Sequence, residues 1–138
     1  MSTTRENVLE QFKTDLTAVT GVNYVERLKP SPVDIETVPM PAIFIYTGPE
    51  TRLRDERAVI GYETWDWEVI LEVWARDTDM EVVLGNIHAK MFADETLGGY
   101  AVTSCRTGAD SQVVDVEQSL QAMLILYQVI YRHVKGVM

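Results

Sequence analysis

A chain of 138 residues, 46% hydrophobic and 24% charged, is long enough for one domain with a real core and too apolar for wholesale disorder. Its net charge of −9 makes it a poor candidate for gripping DNA or an anionic membrane by simple electrostatics; it suits a surface that repels nucleic acid or meets a basic partner. Cys105 is the only cysteine, so there is no internal disulfide framework, and a reducing cytosol is the expected place of folding.

The N-terminus lacks the apolar core of a signal peptide. Thr3 and Glu6 have capping-box spacing and predict the start of a helix. Val8, Leu9, Phe12, Leu16 and Val19 then fall on one helical stripe, with Gly21 as the expected stop. Val22 to Arg27 suits a short strand. Lys29 to Pro41 holds Pro30, Pro32, Pro39 and Pro41, and so reads as a connector over the surface. Ala42 to Tyr46 is apolar on both sides, as a central strand would be, and Gly48-Pro49 is expected to end it. Glu50 to Arg57 is polar and mixed in sign, and reads as the charged tip of a hairpin whose return begins at Val59 to Tyr62.

The clearest pattern is Trp65 to Arg76. Trp65, Trp67, Val69, Leu71, Val73 and Ala75 alternate with Asp66, Glu68, Ile70, Glu72, Trp74 and Arg76. Period two predicts a long strand with one buried face, and a one-residue slip would expose the whole apolar row. Asp77, Thr78 and Asp79 offer N-caps for a second helix with the stripe Met80, Val83, Leu84, Ile87 and Met91. Gly85 inside it costs about 1 kcal/mol relative to alanine; a close approach of backbone to sheet is the expected compensation, with a surface glycine as the alternative. Residues 93–99 turn the chain. Tyr100 to Arg106 reads as a strand and Thr107 to Ser111 as a turn.

Gln121 to His133 is the last long strand. Met123, Ile125, Tyr127, Val129 and Tyr131 line one face; Ala122, Leu124 and Leu126 make the first half of the other face apolar too. That strand demands cover on both sides, from helices on one and from a second layer or another subunit on the other. Its longest unbroken apolar run, Ala122 to Tyr127, is far short of the roughly 20 residues of a membrane-spanning helix. The expected fold is a single α+β domain over residues 1–138, with a mainly antiparallel sheet and two helices packed on one face.

No catalytic constellation accompanies this scaffold. His88 and His133 have no second histidine or cysteine at ligand spacing, so His88 reads as a partly buried packing residue and His133 as a polar strand end. Cys105 has only Arg106 beside it to lower its pKa and no nucleophile motif around it. Ser104 and Ser111 lie outside a nucleophile elbow, and Gly98-Gly99 lacks a phosphate-loop context. Asp55/Glu56 and Asp94/Glu95 read as solvated carboxylates. No catalytic, cofactor-binding or metal-binding residue is therefore assigned. Two features stand as candidate subunit interface. Trp74, an aromatic among charges, suits either an interface or partial cover by a loop. Arg52, Arg54 and Arg57, the only basic cluster, suit either a solvated tip or docking on an acidic neighbour, most simply another copy.

The order of these parts resembles the tail terminator family of long-tailed bacteriophages (tail completion, minor tail protein U-like). The resemblance rests on a short amphipathic helix, a proline-rich connector, a strand after Pro41, a polar hairpin, the alternating strand Trp65 to Arg76, a short helix, the turn at 93–99, a strand, and a long final strand. It runs from about Arg5 to His133. It implies a virion protein, made and assembled in the host cytoplasm, that forms a homo-oligomeric ring, expected to be a hexamer, at the head-proximal end of the tail. The ring caps the tail tube protein, stops its polymerisation and meets the head–tail connector protein. DNA passes through the lumen without specific binding, and neither cofactor nor membrane is implied. Two other readings stay open: a head–tail connector or head completion protein, and a small α+β ligand-binding domain or enzyme with a deep polar pocket.

Overall fold

The computed structural model describes residues 3–27, 39–53, 62–115 and 120–134. Its elements follow in the order α1 (Thr4–Thr17), β1 (Tyr24–Arg27), β2 (Ala42–Leu53), β3 (Tyr62–Arg76), α2 (Asp77–Ala93), β4 (Thr103–Asp115) and β5 (Leu120–Val134). The five strands form one sheet in the order β1-β2-β3-β5-β4. Only β1 and β2 run parallel; every other pair is antiparallel. The architecture is α+β, with both helices on one face.

α1 begins as the sequence predicts. The Glu6 amide donates to Thr3 Oγ1 at 3.1 Å, satisfying one of the free N–H groups at the helix start. The helix stops at Thr17, before Gly21, whose φ of +90° belongs to the following turn. Val8, Leu9, Phe12 and Leu16 are buried beside Met80, Val83, Leu84, Ile87 and Met91 of α2. Both sets cover Trp67, Val69, Leu71, Val73 and Ala75 of β3, and Ile125, Tyr127, Val129 and Tyr131 of β5. The period-two face assignment is correct, because a 15-residue β3 paired along its length with β5 leaves no freedom to slip.

Three local expectations fail for identifiable reasons. Gly48-Pro49 does not end β2. The strand continues to Leu53 through a bulge between Thr47 and Glu50, beyond the reach of β1, where the edge of β2 tolerates a proline. Thr107 to Ser111 is not a turn; β4 runs to Asp115, with its bulge between Arg106 and Gly108. Asp77, Thr78 and Asp79 are not N-caps. β3 passes into α2 without a linker, so Arg76 is the cap residue and makes no side-chain capping bond. Of the two readings of Gly85 the surface glycine holds: it is exposed, and a Cβ there would meet nothing within 4 Å.

The turn after α2 is tightly specified. Leu97 is fully buried with a left-handed φ of 50°, and Gly98 follows at 68°. The left-handed φ favours glycine there, and a Cβ would also have to displace the end of the Gln11 side chain, 2.8 Å away.

Candidate functional site

The sheet has two unlike faces. The helix-bearing face is the core. The other is built by the alternate residues of the same strands: Tyr24 and Glu26 of β1; Ala42, Phe44 and Tyr46 of β2; the even positions of β3; and Ala122, Leu124, Leu126, Gln128 and Ile130 of β5. One end of it closes on itself. Trp74 lies in register between Ala42 and Ala122, whose small side chains leave room for the indole. These three and Phe44 form a second buried cluster, with Tyr24, Met40 and Tyr46 packed against it. Trp74 Nε1 donates to Glu72, which also faces the Tyr46 hydroxyl; burial, then Glu72, raises the pKa of Tyr46.

Beyond that cluster no helix among the described residues covers the face. Ile70 lies opposite Leu126, and Leu124 and Ile130 continue the row along β5; all four are half-buried. Asp66, Glu68 and Glu72 flank them on β3. A hydrogen-bonded chain crosses three strands beside the row: the Cys105 thiol lies 3.8 Å from Gln128 Oε1, and Gln128 Nε2 donates to Asp66 Oδ2 at 2.7 Å. The result is an apolar strip with a carboxylate margin.

The candidate interface residues do not come together. Trp74 is only 5% exposed, within its own chain. Arg52 is exposed at the far end of β2, on the helix-bearing face, 3.9 Å from Glu63. Trp74 pairs with Ala42, which is separated from Arg52 by roughly 30 Å of strand. Arg54 and Arg57 lie outside the described residues. The half-buried row was legible in part, since the even face of the last strand begins apolar; the contribution of Ile70 needed the β3–β5 register.

A cleft opens between the end of α2 and the start of β4. Its volume is about 200 Å³, and His88, Phe92, Arg106 and Tyr127 are among its lining residues. His88 is exposed, its ring tilted by 33° against Phe92 with centroids 6.4 Å apart, rather than partly buried as expected. Register separates Cys105 from this histidine. Arg106 pairs with Tyr127 on the helix-bearing face, whereas Cys105 pairs with Gln128 on the other. Cys105 also lines the cleft, but its thiol lies 3.8 Å from Gln128 on the opposite face and so is not turned toward His88 as a nucleophile would be toward its base.

A second polar cluster ties α1 to the turn after α2. Asp15 is 6% exposed; Gln11 Nε2 donates to Asp15 Oδ1 at 2.9 Å and reaches Asp94 Oδ2 at 3.5 Å. Burial, and then the neighbouring Asp94 carboxylate, raise the Asp15 pKa to about 6. Asp94 is held low by its bond with Asp15 and by the Gly98 amide, which donates to it at 3.0 Å. Below about pH 6 Asp15 therefore holds a proton beside the Asp94 carboxylate. Among the described residues no three His, Cys, Asp or Glu side chains form a metal cluster, and no helix is long and apolar enough to cross a membrane.

No protein-family model matches the chain, and no curated protein matches it in sequence. Among solved structures, a chain from the virion of a native gene transfer agent particle resembles it with a TM-score of 0.43 and 14% identity, covering 91% of this chain and 92% of that one. At that distance no role passes from one chain to the other.

Proposed function

We propose that this protein is a structural subunit, not an enzyme, of a phage-like virion, and that it acts as a tail terminator. Copies join into a ring, a hexamer in this reading, on the head-proximal end of the tail tube. The ring stops tube growth and offers its outer surface to the head connector.

The carrying observation is the strip of Ile70, Leu124, Leu126 and Ile130 on a sheet face that no helix among the described residues covers. Half-buried aliphatic side chains in contiguous register are what a subunit contact completes. The order of elements, which resembles the tail terminator family, supports the specific role. The charge of −9 fits a lumen along which DNA slides, because carboxylates repel phosphates and prevent sticking. The turn of the Cys105 thiol toward Gln128, away from His88, supports the non-enzymatic reading.

Mass measurement and electron imaging of the purified protein, alone and mixed with assembled tail tubes, test this reading. Rings, or caps on tube ends, are the expected result. A protein that stays monomeric and never associates with tubes would overturn it.

A further inference from the structure

Two hydrogen-bond donors in the cleft beside β4 have no partner among the described residues. Tyr127 is 3% exposed and its hydroxyl makes no hydrogen bond, an arrangement that costs about 1–3 kcal/mol when nothing compensates. Arg106 pairs with Tyr127 in the β4–β5 register, so the two side chains leave the sheet side by side on the same face. Arg106 is exposed and makes no ion pair among the described residues. Phe92, which lines the same cleft, is 69% exposed, an unusual position for a phenylalanine, and the His88 ring lies beside it, tilted by 33° with centroids 6.4 Å apart.

We infer that this cleft is a binding site for a carboxylate carried on an aromatic or other apolar body. The guanidinium and the phenol supply a charged and a neutral donor to the two carboxylate oxygens. The exposed Phe92 ring, with the tilted His88 ring beside it, supplies an aromatic wall for the body. Glu95 also lines the cleft, so a single negative charge is accepted better than a dianion such as phosphate. A volume of about 200 Å³ holds one ring and its acid group, not a drug-sized ligand, whose sites run to about 300–1,000 Å³. Burial pushes the Tyr127 hydroxyl up to about 12, with Arg106 pulling the other way, so it stays a donor throughout the neutral range. Ser104 contributes no donor, because its hydroxyl is bonded to the Glu95 carbonyl at 2.9 Å. The site stands whether or not the protein forms rings.

The test is an amide chemical-shift titration of the full chain with phenylacetate, with phenylacetamide as its uncharged match. Phenylacetate should shift Phe92, Arg106 and Tyr127 saturably, and phenylacetamide should bind about tenfold more weakly. Tyr127→Phe and Arg106→Gln should each weaken phenylacetate several-fold. Tyr127→Phe keeps the ring and loses only an unpaired hydroxyl, so it stays folded. The blocked dipeptide acetyl-Phe-Asp-amide separates two sources of the same chemistry. If it binds as well as phenylacetate, the natural occupant is an acidic side chain of a partner protein; if only phenylacetate binds, it is a free small acid. Equal binding of phenylacetate and phenylacetamide, no saturable shift, or full affinity in both variants would overturn the inference.

Discussion

The two faces of this one sheet are made by neighbouring residues of the same strands, yet they solve different problems. On the helix-bearing face, Trp67, Val69, Leu71 and Val73 are completely buried by elements of their own chain. On the other, the described residues bury the cluster around Trp74 and leave Ile70, Leu124, Leu126 and Ile130 half-covered. The first face decides whether the monomer folds. The second, in the reading proposed above, decides what the folded monomer joins. Alternation lets a strand carry both instructions without interference, because each is written on every other residue.

Adjacent residues give the sharpest way to break that contrast. Leu71→Asp places an unpaired charge in the core and should lower stability by several kcal/mol, enough to unfold a domain of this size. Its neighbour Ile70→Asp should cost about 1 kcal/mol or less in the monomer while abolishing association. Denaturant unfolding and solution mass on the same two variants give both numbers. A stable Leu71→Asp protein would mean that the faces are reversed.

The buried polar link on the helix side sets the next effect. The Asp15 pKa is raised to about 6 from an ordinary 3.8, so the folded state binds the proton more tightly than the unfolded chain. This favourable contribution is fully present below about pH 4 and is lost as pH rises through about 6. Asp15→Asn keeps a donor toward Asp94 with no charge to desolvate. Near pH 4 the variant should match the natural protein; above pH 6 it should be more stable by on the order of 1–2 kcal/mol, less any cost of losing the exchangeable proton. Thermal melts across pH 4–8 check the sign.

Smaller effects sharpen the outer surfaces. Gly85→Ala on exposed α2 should add about 0.5–1 kcal/mol, since its Cβ meets nothing and alanine is the better helix former. Arg52→Glu should leave the fold unchanged and alter the rate and salt dependence of association, the mark of a margin charge, as measured by light scattering across a salt series. An unchanged salt response would make Arg52 a solvated residue only.

Most of the framework was legible in the sequence because its signals are local and repeated. The capping box at Thr3 and Glu6, the stripe from Val8 to Leu16 and the alternation from Trp65 to Ala75 each state one instruction several times over. What stayed illegible depends on a neighbour strand. Gly48-Pro49 and the stretch around Gly108 carry turn residues, and only the sheet shows that they fall at bulges where such residues are tolerated. Trp74 sits among charges in sequence; its burial follows from Ala42 and Ala122, 32 and 48 positions away. The cleft was illegible for the same reason, because Arg106 and Tyr127 meet only through the β4–β5 register.

The bulge at Thr47/Glu50 acts on β2 as a change of reading frame. Before it, Ile43 and Ile45 face the helices; after it, Glu50 does, and there it receives the Tyr131 hydroxyl and lies 3.4 Å from Arg5, whose guanidinium caps Trp67 at 4.6 Å. Gly48 is held at this point by the Glu68 side chain, 2.9 Å from where a Cβ would stand. Loss of one residue at 48–49 would therefore shorten the strand by its one unpaired position and leave every side chain on its present face. The same loss inside Ala42 to Tyr46 would turn the rest of the strand inside out. Length changes in β2 during evolution should accordingly be confined to this single joint.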